Sequence, residues 1–281
     1  MDKSSMELTF TLDLENHRGA GSADLRYRDN ARRILDFFEE HTIRATIFIV
    51  GDLVDAERKL IARASAAGHE LALHSFRHTP LMAENRDRYA AQLTAAKKAL
   101  EDASGRPVTG YRAPVFSLTP VTTWVLPLLA EAGIEYSSSV LPARHPLYGY
   151  EQAPRCVFCW PEGLLEIPVP VSRIAGAEIP FLGGIYLRYL PTAVVRARAA
   201  DVDQTLWSYI HPYDVDATEP YYRFPGTSLL MSLLLWRNRK GTLTKLGRLA
   251  AAADILAPFA DRIAAGEFGD APLYRSEQSL A

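Results

Sequence analysis

The chain has 281 residues, 48% of them hydrophobic and 23% charged, which excludes a disordered or collagen-like protein and suffices for one large domain or two small ones. Thirty-one basic against 33 acidic residues leave a formal charge of -2, so no nucleic-acid partner is expected. Two cysteines are too few for a disulfide framework and fit a reducing compartment.

The amino terminus, MDKSSMELTFTLDLEN, carries acidic residues inside its first short apolar run and offers no signal-like stretch. The longest apolar runs, near 125–130 and at Leu229–Trp236, fall short of the ~18–20 residues a bilayer span needs. A cytoplasmic protein is expected. Residues 7–13 (ELTFTLD) alternate apolar and polar side chains and predict a strand; 29–41 carry the helical stripe Ile34, Leu35, Phe37, Phe38. Residues 45–50 predict a buried strand ended by Gly51, 53–67 a helix stopped by Gly68, 70–74 a strand and 84–103 a long amphipathic helix. The pattern repeats in 108–112, 119–132 and 134–138. Residues 141–191 are the least periodic, with a strand at 164–169; 205–210 predict a late strand, and from Ser228 the chain reads as helical. This alternation predicts parallel βαβ units in an α/β fold. No repeat or linker divides the chain, so one domain over 1–281 is expected, with its motif core at about 7–216 and a helical extension at about 226–265.

Ionisable residues gather where these strands end: Asp13 and Glu15 after the first, His74 and His78 after the third, Arg112 and His211 after later ones. Parallel α/β folds collect ligands at such ends. His74-Ser-Phe-Arg-His78 spaces two imidazoles four apart, which on a helical turn suits a divalent metal; two half-exposed loop histidines are the plainer reading. Asp13 and Glu15, two apart on a strand, would share one side, so that one binds metal while the other takes a proton from the attacking water. A helix cap or solvated turn running into Asn16-His17 is the alternative. Arg112 suits a carboxylate partner, or an ordinary loop ion pair, and Pro114 fixes the backbone where an N–H could meet an oxyanion.

These stretches together resemble the NodB-homology polysaccharide deacetylases, carbohydrate esterase family 4. LTFTLDLE, ATIFIVG, GHELALHSFRH, GYRAP, YSSSVLP and SYIHPYD follow one another in the family's order. The resemblance implies a distorted (β/α)7-type barrel. It implies Asp13 as general base steadied by Arg112, Glu15, His74 and His78 as metal ligands, the N–H of Val115 at the oxyanion, and His211 as the acid protonating the leaving amine. Pro114, Ser137 and Tyr213 are the further residues expected at the substrate. The implied cofactor is a divalent metal, Zn2+ by default, with Co2+, Ni2+ or Mn2+ tolerated by the same donors. The implied reaction is removal of an N-acetyl or other N-acyl group from an amino sugar in a polysaccharide or lipid-linked intermediate. Alternatives are a deformylase, esterase or amidase acting on another small substrate, and a sugar-binding relative with little catalysis.

Three positions depart from the family pattern. The first motif is Asp-x-Glu rather than two adjacent aspartates, a form resembling the branch that acts on lipid-linked or exported sugars. Ser137 stands where an aspartate usually tunes the acid histidine, so His211 is expected to use Asp214 or Asp216, or to have a lowered pKa. Val115 replaces a tyrosine. Elsewhere, Cys156-Val-Phe-Cys159 is read as packing rather than metal or redox chemistry. Tyr148, Tyr150, Phe158, Trp160 and Tyr186 suit either a sugar groove or the core. Leu229–Trp236 followed by Arg237-Asn-Arg-Lys240 reads as a buried helix with a basic end, or as an interfacial helix touching the inner membrane surface.

Overall fold

Strand β1 (Met6–Leu14) organises the fold. Leu8, Phe10, Leu12 and Leu14 pack into the large apolar cluster with α1 (Arg26–Glu40), while Thr9, Thr11 and Asp13 face the other way and are buried too. The alternation in the sequence therefore separates two buried faces, one against helices and one inside a curled sheet. The computed structural model describes residues 6–19, 22–145, 148–224 and 226–275, so the first five residues of the amino-terminal stretch lie outside it.

Strands and helices then alternate: β2 (Thr46–Ile49), α2 (Arg58–Ala66), β3 (Glu70–Leu73), α3 (Arg86–Ser104), β4 (Gly110–Tyr111), α4 (Val125–Glu131) and β5 (Tyr136–Ser137). The region read as irregular holds β6 (Phe158–Cys159), β7 (Leu165–Glu166), a hairpin of β8 (Ser172–Ile174) and β9 (Ala177–Ile179), and α5 (Gly184–Tyr189). After α6 (Thr192–Asp201) come β10 (Trp207–Ile210), α7 (Leu229–Trp236), α8 (Thr242–Ala250), β11 (Ala253–Ile255) and α9 (Phe259–Ala264). The sheet runs β10-β1-β2-β3-β4-β5-β7, all parallel, with β6 antiparallel at one end. Seven parallel strands in a curl form the distorted (β/α) barrel. Side chains join its two ends: Gln204 exchanges hydrogen bonds of 3.0 and 2.9 Å with the Val171 backbone, and the Trp207 indole donates to the Pro168 carbonyl at 2.9 Å.

Several boundaries differ from the sequence reading for local reasons. Gly51–Leu53 forms a tight turn, so the helix expected from 53 begins only at Arg58. Thr122 ties its hydroxyl to Ser117 and Thr119, holding the chain in turns until α4 starts at Val125. The extension at about 226–265 is not wholly helical: β11 pairs parallel with Met6, Glu7 and Leu8 of β1. Inside the curl, Phe48, Tyr136, Ile167, Trp207 and Phe259 form a second apolar cluster.

Candidate active site

Arg112 lies fully buried in that interior, its guanidinium 3.8 Å from the Phe48 ring centre and 4.3 Å from that of Trp207. Aromatic faces on both sides hold the cation where no water reaches. Its Nη1 donates to Asp13 Oδ1 at 2.5 Å and to Thr11 Oγ1 at 2.9 Å, while Nε donates to the Ser138 carbonyl at 3.2 Å. Asp13 is thus fixed from below. Its other oxygen lies 4.0 Å from His74 Nε2 and 3.7 Å from His211 Nε2.

Glu15, two residues on, is buried on the same side, as strand geometry requires. Its Oε2 lies 4.0 Å from His74 Nε2 and contacts His78 Nε2 directly. Burial disfavours the Glu15 charge, but His78, His211 and His74 hold its pKa down at about 2. His74 donates from Nδ1 to the Arg112 carbonyl at 2.9 Å, which leaves the Nε2 lone pair facing the carboxylates. Burial, then the neighbouring His78, pushes the His74 pKa well below the usual imidazole range. Two imidazoles and an ionised carboxylate, with donor atoms all within 4.8 Å of one another, fit one small divalent cation. Among the described residues, Glu15, His74 and His78 are the one such cluster.

The two histidines do not share a helical turn. His74 directly follows β3, and Ser75 adopts φ 62°, a left-handed conformation held by its buried hydroxyl against Tyr89 at 3.1 Å. The N–H groups of Gly51 and Asp52 then bond the Ser75 and Phe76 carbonyls at 2.9 and 2.8 Å, folding the loop so that His78 returns beside Glu15.

His211 follows β10, and Asp214 is its partner: Nδ1 meets Asp214 Oδ2 at 2.7 Å. Asp216 instead pairs with Arg26 at 3.0 Å. The expectation of a lowered His211 pKa fails for that reason. Burial opposes the imidazolium, but Asp214, with Glu15 and Asp13 beyond, raises it to about 9. Asp214 is buried against Arg188 Nε at 3.1 Å, a cation from α5 that no motif marked. Burial works against the Asp214 charge, yet Arg188 and then His211 keep it below the usual carboxylate range. Tyr213 stacks on His211 at 4.8 Å and 12°, and Phe224 and His17 continue this aromatic wall.

Pro114 is buried, and exposed Val115 sits in the turn after it with φ 50°. Phe116 of the same turn packs on Trp207 and Tyr209. Ser137 is buried inside the sheet and donates to Ser139 Oγ at 2.8 Å, which in turn accepts the Ala113 N–H at 2.8 Å, so its hydrogen bond runs to the β4 side rather than to His211. Behind it the buried Glu166 carboxylate accepts the Ser139 and Val140 N–H groups at 2.6 and 2.9 Å. Sequence reasoning missed Glu166 and Arg188 because a lone charged residue in an irregular stretch carries no spacing signal. It also left aside His17, which meets buried Glu219 at 2.8 Å. Cys156 is exposed and Cys159 points at the Trp160 carbonyl.

Comparison with known families matches residues 15–137 to polysaccharide deacetylase. That match spans less than half of the chain and makes these residues similar to the polysaccharide deacetylases. Residues 138–256 match a domain of unknown function, DUF3473. The deacetylase segment supplies Glu15, His74, His78 and Arg112, and the DUF3473 segment supplies His211, Asp214 and Arg188. A chitooligosaccharide deacetylase of Sinorhizobium fredii is 33% identical over 87 residues, 29% of this chain and 40% of its own length. A peptidoglycan-N-acetylglucosamine deacetylase of Bacillus cereus is 27% identical over 73 residues, 26% of each chain. The chain therefore spans less than half the length of these curated relatives. A Mycobacterium smegmatis structure assigned to the polysaccharide deacetylases shares the fold, with TM-score 0.62 and 20% identity over 99% of this chain and 96% of that one.

Proposed function

We propose that the chain is a metal-dependent N-deacetylase removing an acyl group from an amino sugar in a glycan, with Zn2+ as its metal. The observation that carries this reading is the convergence of Asp13, Glu15, His74, His78 and His211 within hydrogen-bond or ion-pair reach at the strand ends. Deacetylation of N-acetylated glycans by the named relatives supports the substrate class.

Glu15, His74 and His78 would hold the metal, which when bound polarises the acyl carbonyl and acidifies water. Asp13 takes the proton from the attacking water, and Arg112 keeps its carboxylate aimed. The Val115 N–H faces the developing oxyanion. His211, charged at neutral pH and held by Asp214, then gives its proton to the departing amine, without which the C–N bond does not break. Tyr213 and its neighbours offer ring faces to a sugar. Pro114 positions the Val115 turn, and Ser137 acts through Ser139 on the Ala113 N–H that leads into it.

The finer reading is a lipid-linked intermediate handled on the cytoplasmic side of the inner membrane. No helix among the described residues is long and apolar enough to cross a membrane. The test is metal content and acetate release from N-acetylglucosamine oligomers and lipid-linked glycans by wild type, His78→Ala and His211→Gln. The expected result is one ion per chain in wild type and His211→Gln, none in His78→Ala, and turnover in wild type alone. A chain that takes up no metal after reconstitution and releases no acetate overturns the proposal.

A further inference from the structure

Helix α7 is built inside out. Its sequence, LLMSLLLW, holds seven apolar residues, yet the one buried side chain is Ser232. Leu229 and Leu230 are 58% and 68% exposed, and Met231 is exposed beside them. A helix on a water-facing surface normally turns such residues inward. Here polar bonds hold the inner side instead. The Ser232 hydroxyl accepts the Phe224 N–H at 3.1 Å, and the Leu235 carbonyl accepts from Arg188 Nη1 at 2.9 Å. The Leu234 carbonyl accepts the Tyr189 hydroxyl at 3.1 Å, and the Trp236 indole donates to the Glu219 carbonyl at 2.8 Å. The helix is thus firmly seated with its greasy side outward.

Charge around it is equally one-sided. Between positions 220 and 253 there are six basic residues and no acidic one, in a chain whose formal charge is -2. Arg223, Arg237 and Lys240 are exposed, as are the rings of Tyr189 and Tyr221. Exposed leucines with tyrosines and a tryptophan at their margin, ringed by cations, match the chemistry of an anionic lipid surface. A second copy of the chain is disfavoured, because a two-fold pair would set these cations against one another. The patch also adjoins the site: Phe224, bonded to Ser232, contacts the Tyr213 ring that stacks on His211.

We infer that α7 and its basic flanks dock the protein on an anionic bilayer, with the Leu229–Met231 tip entering the headgroup layer and the site mouth held at the surface. This deepens the lipid-linked reading by naming the surface through which such a substrate is met.

The test is co-sedimentation of the full chain with vesicles of phosphatidylcholine alone and of phosphatidylcholine with phosphatidylglycerol. Wild type should sediment with the anionic vesicles only, and added salt should release it. Leu230→Glu and Arg237→Glu should each weaken binding about tenfold. Both sites are exposed, so circular dichroism and turnover of a soluble oligosaccharide should stay at wild-type values. No binding by wild type, or equal binding by Leu230→Glu, overturns the inference. So does a wild-type dimer that Leu230→Glu converts to monomer, since the patch then belongs to a second copy. Binding without hydrolysis would count against the proposed chemistry alone, and hydrolysis without binding against the docking alone.

Discussion

Two buried ion pairs underlie the proposed chemistry residue by residue. Arg112 and Asp13 meet inside the barrel, and removing the cation alone leaves an uncompensated carboxylate among aromatic rings. Arg112→Met is expected to cost about 3–5 kcal/mol of stability in denaturant unfolding. It should also lower turnover at least a hundredfold in protein that remains folded, because Asp13 loses its aim. The second pair sets the proposed acid. With His211 held at about 9 by Asp214, its proton is present below that value and lost above it, so turnover should fall on the alkaline side near pH 9. Asp214→Asn should move that limb to lower pH, visible in a pH–rate profile. The residues at the strand ends were legible because a few short motifs fell where predicted strands stopped. Ser75 and Arg188 were not. A left-handed serine has no sequence signature beyond its own identity, and Arg188 acquires meaning only once α5 is folded beside Asp214.

Whole elements show a different balance. The early strand–helix alternation was readable from periodicity, since each strand carries one face to a helix. The short strands β4, β5 and β7 pair over two residues each and fall inside the strands expected at 108–112, 134–138 and 164–169, so what the sequence overstated was their length. At Gly51, where β2 hands over to the next turn, an added Cβ would stand 2.6 Å from the Ala96 side chain of α3 and 3.1 Å from Phe76 Cα. Gly51→Ala should therefore cost about 1–3 kcal/mol and displace the loop that returns His78, so metal affinity should fall along with the unfolding midpoint. His69, at the start of β3, accepts the Ala45 N–H through Nδ1 at 3.0 Å and is buried. Burial, with Arg63 and Arg44 nearby, lowers its pKa to about 4. Above pH 6.5 both folded and unfolded states hold it neutral. Between 6.5 and 4 only the unfolded chain takes the proton, so stability should fall across that window, by about 3 kcal/mol at its foot. Chemical unfolding at stepped pH, with the His69 imidazole followed by NMR, checks both the slope and its source.

For the molecule entire, the tail proves structural rather than appended. The Phe259 ring fills the barrel interior and its N–H bonds Thr46 Oγ1 at 3.0 Å; Arg262 donates to Thr9 Oγ1 at 2.9 Å, and Ala260 N–H to Glu70 at 3.0 Å. Ending the chain after Ala252 removes β11 and all of these contacts. The expected outcome is a drop larger than the roughly 3–5 kcal/mol of Phe259→Ala, seen as insoluble expression or lost cooperative melting. Sequence periodicity could not reveal this, because three residues of parallel pairing look like any helical tail rich in alanine. The division of labour between the chain's two segments has a further consequence, one of heredity. The proposed base and its arginine are encoded upstream of residue 113, the proposed acid with its aspartate and buried cation downstream of 187. A crossover anywhere between would hand a descendant one side of a proton transfer without the other. Lineages that exchanged these segments would persist only where donor and recipient already agreed on both, so the two halves are expected to descend as a single unit.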